Sequence, residues 1–494
     1  MNTDSTNNSD SRDLERFGYR QELSRTMGSF SSFAAGFSYI SILTGLFQMF
    51  HLGYAKAGAP FFWTWPAVLT GQLLVAFCFA DLAAQYPLSG GVYQWAKFSG
   101  SRFIGWMTGW IYLACLVTTI SAVALALQVS LPQVSDWFQF IGDRHNPSDA
   151  AVNAILLGSV LILISTYINS RGIRLLATLN NIGVFAELAG IVLLIGLLLY
   201  HAVRSPAEAV ALHSADGGAV TFAPLVAAAA LTASYVLYGF DTAGSLAEET
   251  IDPRRRAPRA IIQALLAAGI SGLLVLLFAL MAAPVEAYGY LGNASGGLPM
   301  LIKSVLGNGP GRLFLVVVLF AIIVCTLAVH SGTVRLMYAM GRDNLLPFSQ
   351  SLSFVSTRWQ TPIRATLVSG AIAVLILLIN MRFPKVVELV TSIAILWANI
   401  AYLIVVSVML RNRLRNGYAP THQFMGNKTG LAVNLLAVGW SLFMVINVGW
   451  PRAATYGEEW YNQWAAAIYT GLLVCIGMVI YFQRSKKEMS NAHS

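Results

Sequence analysis

The chain has 494 residues, of which 56% are hydrophobic and only 11% charged, with a mean hydropathy of +0.63. Soluble domains carry roughly a quarter charged residues, so the composition excludes an ordinary soluble enzyme. The net charge of +9 would suit nucleic acid only if a basic soluble domain were present, and no loop is large enough to be one.

About 20 apolar residues cross a bilayer as a helix. Twelve such spans follow in order: Met27–Phe50, Phe61–Ala80, Phe103–Val129, Ala150–Ile168, Thr178–Tyr200, Phe222–Ala247, Ala260–Met281, Leu313–Met340, Ala365–Ile379, Val386–Leu410, Leu431–Val448 and Trp464–Phe482. The third and eighth exceed the minimum and are expected to tilt. The ninth is the shortest. The layout predicted is a polar tail over 1–26, a ten-helix core over 27–410, a loop over 411–430, two peripheral helices over 431–482 and a tail over 483–494.

An even number of spans puts both termini on one side. Most of the 31 basic residues fall in the loops of that side, among them Arg12, Arg16, Arg20, Arg25, Lys97, Arg102, Arg171, Arg174, Arg254, Arg255, Arg256, Arg259, Arg411, Arg413 and Arg415. The opposite side has fewer, including Lys56, Arg144, Arg204 and Arg382. Basic loops stay in the cytoplasm, so both termini are expected there, in a multi-pass protein of the cell membrane. The first 26 residues lack the apolar core and small-residue cleavage site of a signal peptide. The first span then serves as an uncleaved insertion signal. Cys78, Cys115, Cys325 and Cys475 all lie in apolar spans without metal spacing and read as packing residues.

Two spans are interrupted. The first contains "AAGFSYISILTGLF", with Gly36 and Gly45 around a polar middle of Ser38, Ser41 and Thr44; the sixth contains "YVLYGFDTAGSL", with Gly239, Asp241 and Gly244. They begin two five-helix halves, and a matched pair of interrupted helices points to an inverted-repeat transporter with a midplane site. Unwinding frees N–H groups, which suit a carboxylate, and carbonyls, which suit an ammonium group or a cation. The competing reading is that the glycines only let helices pack closely. Two breaks at corresponding positions favour the site.

Three motifs keep order and spacing with a known family. "DLAAQYPLSGGVYQW" (Asp81 to Trp95), "YGFDTAGSLAEETIDPRRRAPRAI" (Tyr238 to Ile261) and "RLMYAMGRDNLLP" (Arg335 to Pro347) resemble signatures of the amino acid–polyamine–organocation permeases. The stretches "FGYRQELSRTMGSFSSFAAGFSYISILTGLF" and "HQFMGNKTGLAVNLLAVGW" resemble the amino acid/choline transporter branch, which contains permeases for 4-aminobutyrate and choline. The resemblance implies an all-α integral membrane protein with 12 transmembrane helices, a LeuT-like 5+5 inverted repeat whose helices 1 and 6 are broken, and alternating access.

Charges inside a membrane are functional candidates by default. Ser41, Thr44, Gly45, Tyr238, Gly239, Phe240 and Asp241 are the candidate substrate-binding residues. For Asp241 two readings stay open: a contact to the substrate amine, or a bond to freed backbone N–H groups. The resemblance makes Tyr235 a candidate aromatic lid over the substrate, against the reading of an ordinary membrane tyrosine. It makes Arg335 an inner-gate residue, paired with Asp81 or Glu248. Glu187 stands where proton-coupled relatives carry a lysine, so that mechanism does not transfer. A buried carboxylate there can bind a proton, help bind sodium, pair with an arginine or make a structural hydrogen bond, and the proton is favoured. His330, with Ser331 and Thr333 on the eighth span, is either a proton relay or a packed hydrogen-bonding partner. Glu388 lies at a span edge and reads as water-facing.

No P-loop, metal cluster or nucleophile–base pair is legible, so neither an ATP-driven pump nor an enzyme is indicated, and no cofactor is expected. The triplet Asn293-Ala294-Ser295 matches a glycosylation acceptor, a common chance match. The reading is a secondary active importer of a small amine-bearing solute, with 4-aminobutyrate the best candidate and a proton, rather than sodium, as the coupling ion. Choline, another quaternary amine or a polyamine is the alternative substrate. A membrane sensor that binds the solute without moving it is the alternative class. Oligomeric state is open.

Overall fold

The structure is a computed structural model that describes residues 14–211, 232–293, 295–379, 381, 386–415, 422, 424–452 and 459–492. The chain is an all-α, multi-spanning membrane bundle. Ten of its helices are long and apolar enough to cross a bilayer among the described residues.

The first span is split into α1 (Ser29–Ile40) and α2 (Ile42–Ala57). Then come α3 (Thr64–Gln85), the short α4 (Gly91–Ser99), α5 (Arg102–Ala124) continuing as α6 (Ala126–Val134), α7 (Pro147–Asn169) and α8 (Ile173–Tyr200). Residues 232–236 are helical and lead through an irregular stretch to the single turn α9 (Thr242–Ser245). The rest are α10 (Pro253–Ala282), α11 (Asn308–Arg342), α12 (Ile363–Ile379), α13 (Val386–Leu414), α14 (Asn427–Gly449) and α15 (Ala465–Ala492). The predicted sixth span lies outside the described residues over 222–231. So do Arg12, Arg382 and Ala294 of the glycosylation triplet. The ninth predicted span is present as α12, 17 residues long and so below the length of the ten.

Residue pattern explains which way each helix faces. In α8, Gly183, Val184, Glu187, Gly190, Ile191 and Leu194 are buried at helical spacing, while Ile182, Phe185, Val192 and Leu193 on other faces are exposed although apolar. An apolar exposed face is what lipid, not water, requires. Burial also falls outward through the bundle. The apolar window within α5 and α6 is 89% buried, that of α14 33% and that of α15 17%, so the last two helices sit at the periphery. At the centre, α1 packs on α8 and α10, α10 on α3, α5 on α11 and α13, and α11 on α8. The two broken segments are therefore enclosed by α5, α8, α11 and α13.

Candidate functional site

Ser41 makes the first break. Its N–H closes α1 on Phe37 O at 2.8 Å, while its hydroxyl accepts from Thr44 N–H at 3.3 Å and caps α2. Serine is a strong N-cap because its oxygen satisfies a freed donor. Its φ of +31° is unusual for a non-glycine residue and is held by the surroundings. Two neighbouring helices supply that hold. Glu187 Oε1 of α8 accepts from Leu43 N–H and from the Ser41 hydroxyl, each at 3.0 Å. Cys325 of α11 donates to the freed carbonyl of Tyr39 at 3.3 Å. Ser41 Oγ also lies 2.7 Å from Thr44 Oγ1. A hydroxyl has one proton, so Thr44 donates to Ser41 whenever Ser41 donates to Glu187.

Gly239 makes the second break, at φ +84°, a left-handed conformation that glycine alone adopts without cost. A Cβ there would meet the Tyr39 ring at 1.8 Å. The Gly239 N–H donates to Tyr402 Oη of α13 at 3.0 Å, and Tyr402 in turn donates to Asp241 Oδ1 at 2.5 Å. Tyr112 of α5 donates to the same oxygen at 2.6 Å. The freed N–H at Gly239 thus reaches Asp241 through a tyrosine hydroxyl. The other glycines of the breaks do packing work: a Cβ on Gly36 would press on Ala264 at 3.1 Å, on Gly45 on Val236 at 2.8 Å and on Gly244 on Trp95 at 2.7 Å.

Between the breaks lies a cavity of about 10 Å³, lined by Tyr39, Ile40, Thr44 and Gly45 from the first, Tyr235 and Tyr238 from the second, and Thr119, Val123 and Cys325. That is room for about one water, so the site is closed. The hydroxyls of Tyr39 and Tyr235 are buried without a hydrogen-bond partner, whereas Tyr238 Oη is 2.7 Å from Thr119 Oγ1. The rings of Tyr39 and Tyr238 meet edge-on at 5.8 Å. Of the expected binding residues, Thr44, Gly45, Tyr235 and Tyr238 line the cavity. Ser41, Gly239 and Asp241 shape the breaks, and Phe240 packs behind them on Phe79 and Tyr402, at 5.9 and 5.5 Å between ring centres. Tyr112, Thr119 and Tyr402 were not legible as site residues, because tyrosine and threonine in an apolar span look like ordinary packing until the helices are placed.

At the end of the bundle where residues 14–27 pack, ion pairs close the interior. Arg335 forms a two-pronged, fully buried pair with Glu249, at 2.8 and 3.2 Å. The expected partners of Arg335, Asp81 and Glu248, are engaged elsewhere. Glu248 instead pairs with Arg342 at 2.8 Å and accepts from Ser89 N–H at 2.9 Å, while Asp81 pairs with Arg413 and accepts from Met425 N–H at 2.9 Å. The N-terminal segment straps this gate. Thr26 and Met27 N–H donate to Glu249 O at 3.0 and 2.8 Å, and the Tyr19 ring lies 3.9 Å under the Arg342 guanidinium. Lys97 reaches both Tyr19 Oη and Asp343, at 2.8 and 2.7 Å. At the other end a cavity of about 370 Å³ is lined by His51, Gln128, Gln133, Arg144, His145 and Glu388.

His330 does not face the central cavity. Its ring bridges α7 and α12, with Nδ1 3.1 Å from Ser165 Oγ and Nε2 2.9 Å from Ser369 Oγ. Thr333 bonds its own helix at Val329 O, and the Ser331 hydroxyl is buried without a partner. No cluster of His, Cys, Asp and Glu suited to a metal occurs among the described residues.

Two interrupted helices around a closed cavity, with ion pairs sealing one end, are the working parts of a membrane carrier. The amino acid permease family profile matches residues 27–476, and the chain belongs to that family. It is 28% identical to the amino-acid permease BAT1 of Arabidopsis thaliana, over 92% of this chain and 91% of the relative. It is 23% identical to the low-affinity putrescine importer PlaP of Escherichia coli (strain K12), over 96% of each. It is 25% identical to the branched-chain amino acid permease BcaP of Bacillus subtilis (strain 168), over 95% and 94%. The protein is a secondary transporter of small polar or charged solutes across a membrane.

Proposed function

We propose that this carrier imports a small amine-bearing solute by alternating access, driven by the proton gradient, with 4-aminobutyrate the substrate to try first. The fold under this reading has 12 transmembrane helices in a LeuT-like 5+5 inverted repeat plus two peripheral ones. Both termini are cytoplasmic, so the Arg335–Glu249 gate is the inner gate and the cavity at His51 and Glu388 opens outward. The observation that carries the reading is the closed cavity between the two chain breaks, with the unpartnered hydroxyls of Tyr39 and Tyr235 on its wall. Buried hydroxyls without partners are costly unless a ligand or water meets them. Tyr39, Tyr235 and Tyr238 suit an ammonium group through their ring faces. Glu187, buried beside the cavity with an uncharged hydroxyl and N–H as partners, is the candidate proton carrier.

A second reading, a diamine such as putrescine, is favoured by two buried carboxylates, Glu187 and Asp241, at the two breaks. It also fits the printed name of the Escherichia coli relative. The test is uptake of labelled 4-aminobutyrate into proteoliposomes in sodium-free buffer, with and without an inward proton gradient. Gradient-driven accumulation supports the reading. Accumulation only after sodium is added removes the proton, and uptake of putrescine alone selects the second substrate.

A further inference from the structure

The N-terminus of α2 is the natural anion position of the first break. A helix start presents unpaired N–H groups and the positive end of the helix dipole, and α2 has 16 residues behind it. The break faces two ways: Ile40 at the end of α1 and Thr44 and Gly45 in the first turn of α2 form part of the cavity wall, while Leu43 N–H and the Ser41 hydroxyl, behind that wall, are given to Glu187. A residue of the protein thus occupies donors that a bound carboxylate would need. The buried hydroxyl of Tyr235, unpartnered on the same cavity, independently offers a polar group to a ligand or a water there.

We propose that Glu187 and the substrate carboxylate compete for this one place, so that a carboxylate-bearing substrate binds only when Glu187 carries a proton. The inference deepens the import reading above and rests on the same cavity. Two carboxylates cannot both draw on the Leu43 N–H and the Ser41 hydroxyl, and like charges so close disfavour each other. A protonated Glu187 is a weaker acceptor and has an O–H of its own to donate. It therefore releases the helix N-terminus, and the Ser41 hydroxyl and Leu43 N–H become free for the substrate carboxylate. One proton is taken up for each carboxylate bound. A diamine brings no carboxylate and binds with Glu187 ionised in place. Competition of this kind would link proton and substrate without a metal ion or an ion-binding cage.

The helices packed on α8 are α1, α7, α10 and α11. The charge of Glu187 bears on the Cys325 thiol of α11, and Tyr39 is the titratable side chain of α1. On the same helix His330 faces α7 and α12, and Arg335 is paired with Glu249. Towards the break, α1 offers the Tyr39 carbonyl to Cys325, and α10 carries Arg254, Arg255, Arg256 and Arg259 at its N-terminal end. The α7 titratable groups, Asp149 and Tyr167, are near its two ends.

The experiment measures binding of 4-aminobutyrate, alanine, leucine and putrescine to the full chain in nanodiscs across a pH series, for the natural protein and for Glu187→Gln. Competition predicts that the natural protein loses affinity for the carboxylate-bearing ligands by about tenfold per pH unit on the alkaline limb, as linkage to one proton requires. Putrescine shows no such loss, and E187Q binds the carboxylate-bearing ligands with a flat profile. An unchanged slope in E187Q, or a flat profile in the natural protein, overturns the proposal while leaving the import reading standing. Carboxylate-bearing ligands that bind E187Q but never the natural protein, even at the acid end of the series, overturn the proton link and remove 4-aminobutyrate as the substrate. Failure of all of them on both proteins, with putrescine binding intact, overturns the proposal, removes 4-aminobutyrate and leaves the diamine as the substrate of the import reading. Should E187Q not fold, a pH-indicator dye in weakly buffered natural protein decides: one proton taken up per 4-aminobutyrate bound supports competition, and none overturns it.

Discussion

At the scale of the residue, the two breaks solve one problem with different chemistry. Ser41 turns the chain with its own hydroxyl and an acid from α8, whereas Gly239 turns it by lacking a side chain and leaning on Tyr402. Gly239 is the less forgiving position. Gly239→Ala places a methyl inside the Tyr39 ring and forces a β-carbon into the left-handed region, so it is expected to cost about 3 kcal/mol or more. The control is Gly196→Ala on α8, where nothing lies within 4 Å of the new atom. That change is expected to gain about 1 kcal/mol of helix propensity. Thermal unfolding of the detergent-solubilised variants checks both, and equal midpoints would refute the assignment of the break to Gly239.

At the scale of the element, each broken segment is held by helices distant in sequence. α8 and α11 clamp the first, and α5 and α13 clamp the second. Moving any of the four changes the geometry at a break, which is how a bundle of stiff helices can pass motion to a small cavity. The gate works through the same helices, since α11 carries both Cys325 at the break and Arg335 in the ion pair. Removing one partner of a fully buried pair costs about 3–5 kcal/mol because the other charge is left stranded. Arg335→Ala is therefore expected to shift the carrier toward opening at this end. Labelling of a cysteine placed at Ser89, which is buried behind the gate, should speed by tenfold or more. Exchanging the two charges, Arg335→Glu with Glu249→Arg, should slow it again. Labelling that does not change in Arg335→Ala would mean that the strap at Tyr19 and Met27 closes this end without the pair.

At the scale of the whole molecule, lipid-facing and protein-facing surfaces are both apolar, so helix burial rather than hydropathy ranks the spans. α5 is among the most enclosed and α15 the least, although both have the same mean hydropathy of 2.1 over their apolar windows. The charge bias of the loops is a whole-molecule property too, because it sums over segments far apart in sequence. The proposed orientation predicts that tags fused to the two termini are both protected from protease in intact cells. A cysteine placed at Arg144 should react with an impermeant thiol reagent added from outside. A tag cleaved at either end would reverse or break the proposed twelve-span topology.

The sequence alone determined that the chain spans a membrane, roughly where its helices run, and that the first and sixth spans contain breaks. These follow from hydropathy, from glycine and from polar residues in apolar runs, all of which act over a few neighbouring positions. It also pointed to Glu187 and Asp241, since a carboxylate in a membrane helix is costly wherever it is placed. Only the tertiary structure decided what those acids touch. Glu187 lies 146 positions from Ser41, and Asp241 lies 129 and 161 from the two tyrosines that bind it. The partner of Arg335 proved to be Glu249 rather than its neighbour Glu248, because in the 3-10 turn over Ala247–Glu249 successive side chains leave about 120° apart. His330 likewise turned to α7 and α12, a choice of helix face set by packing across helices and not by any local pattern.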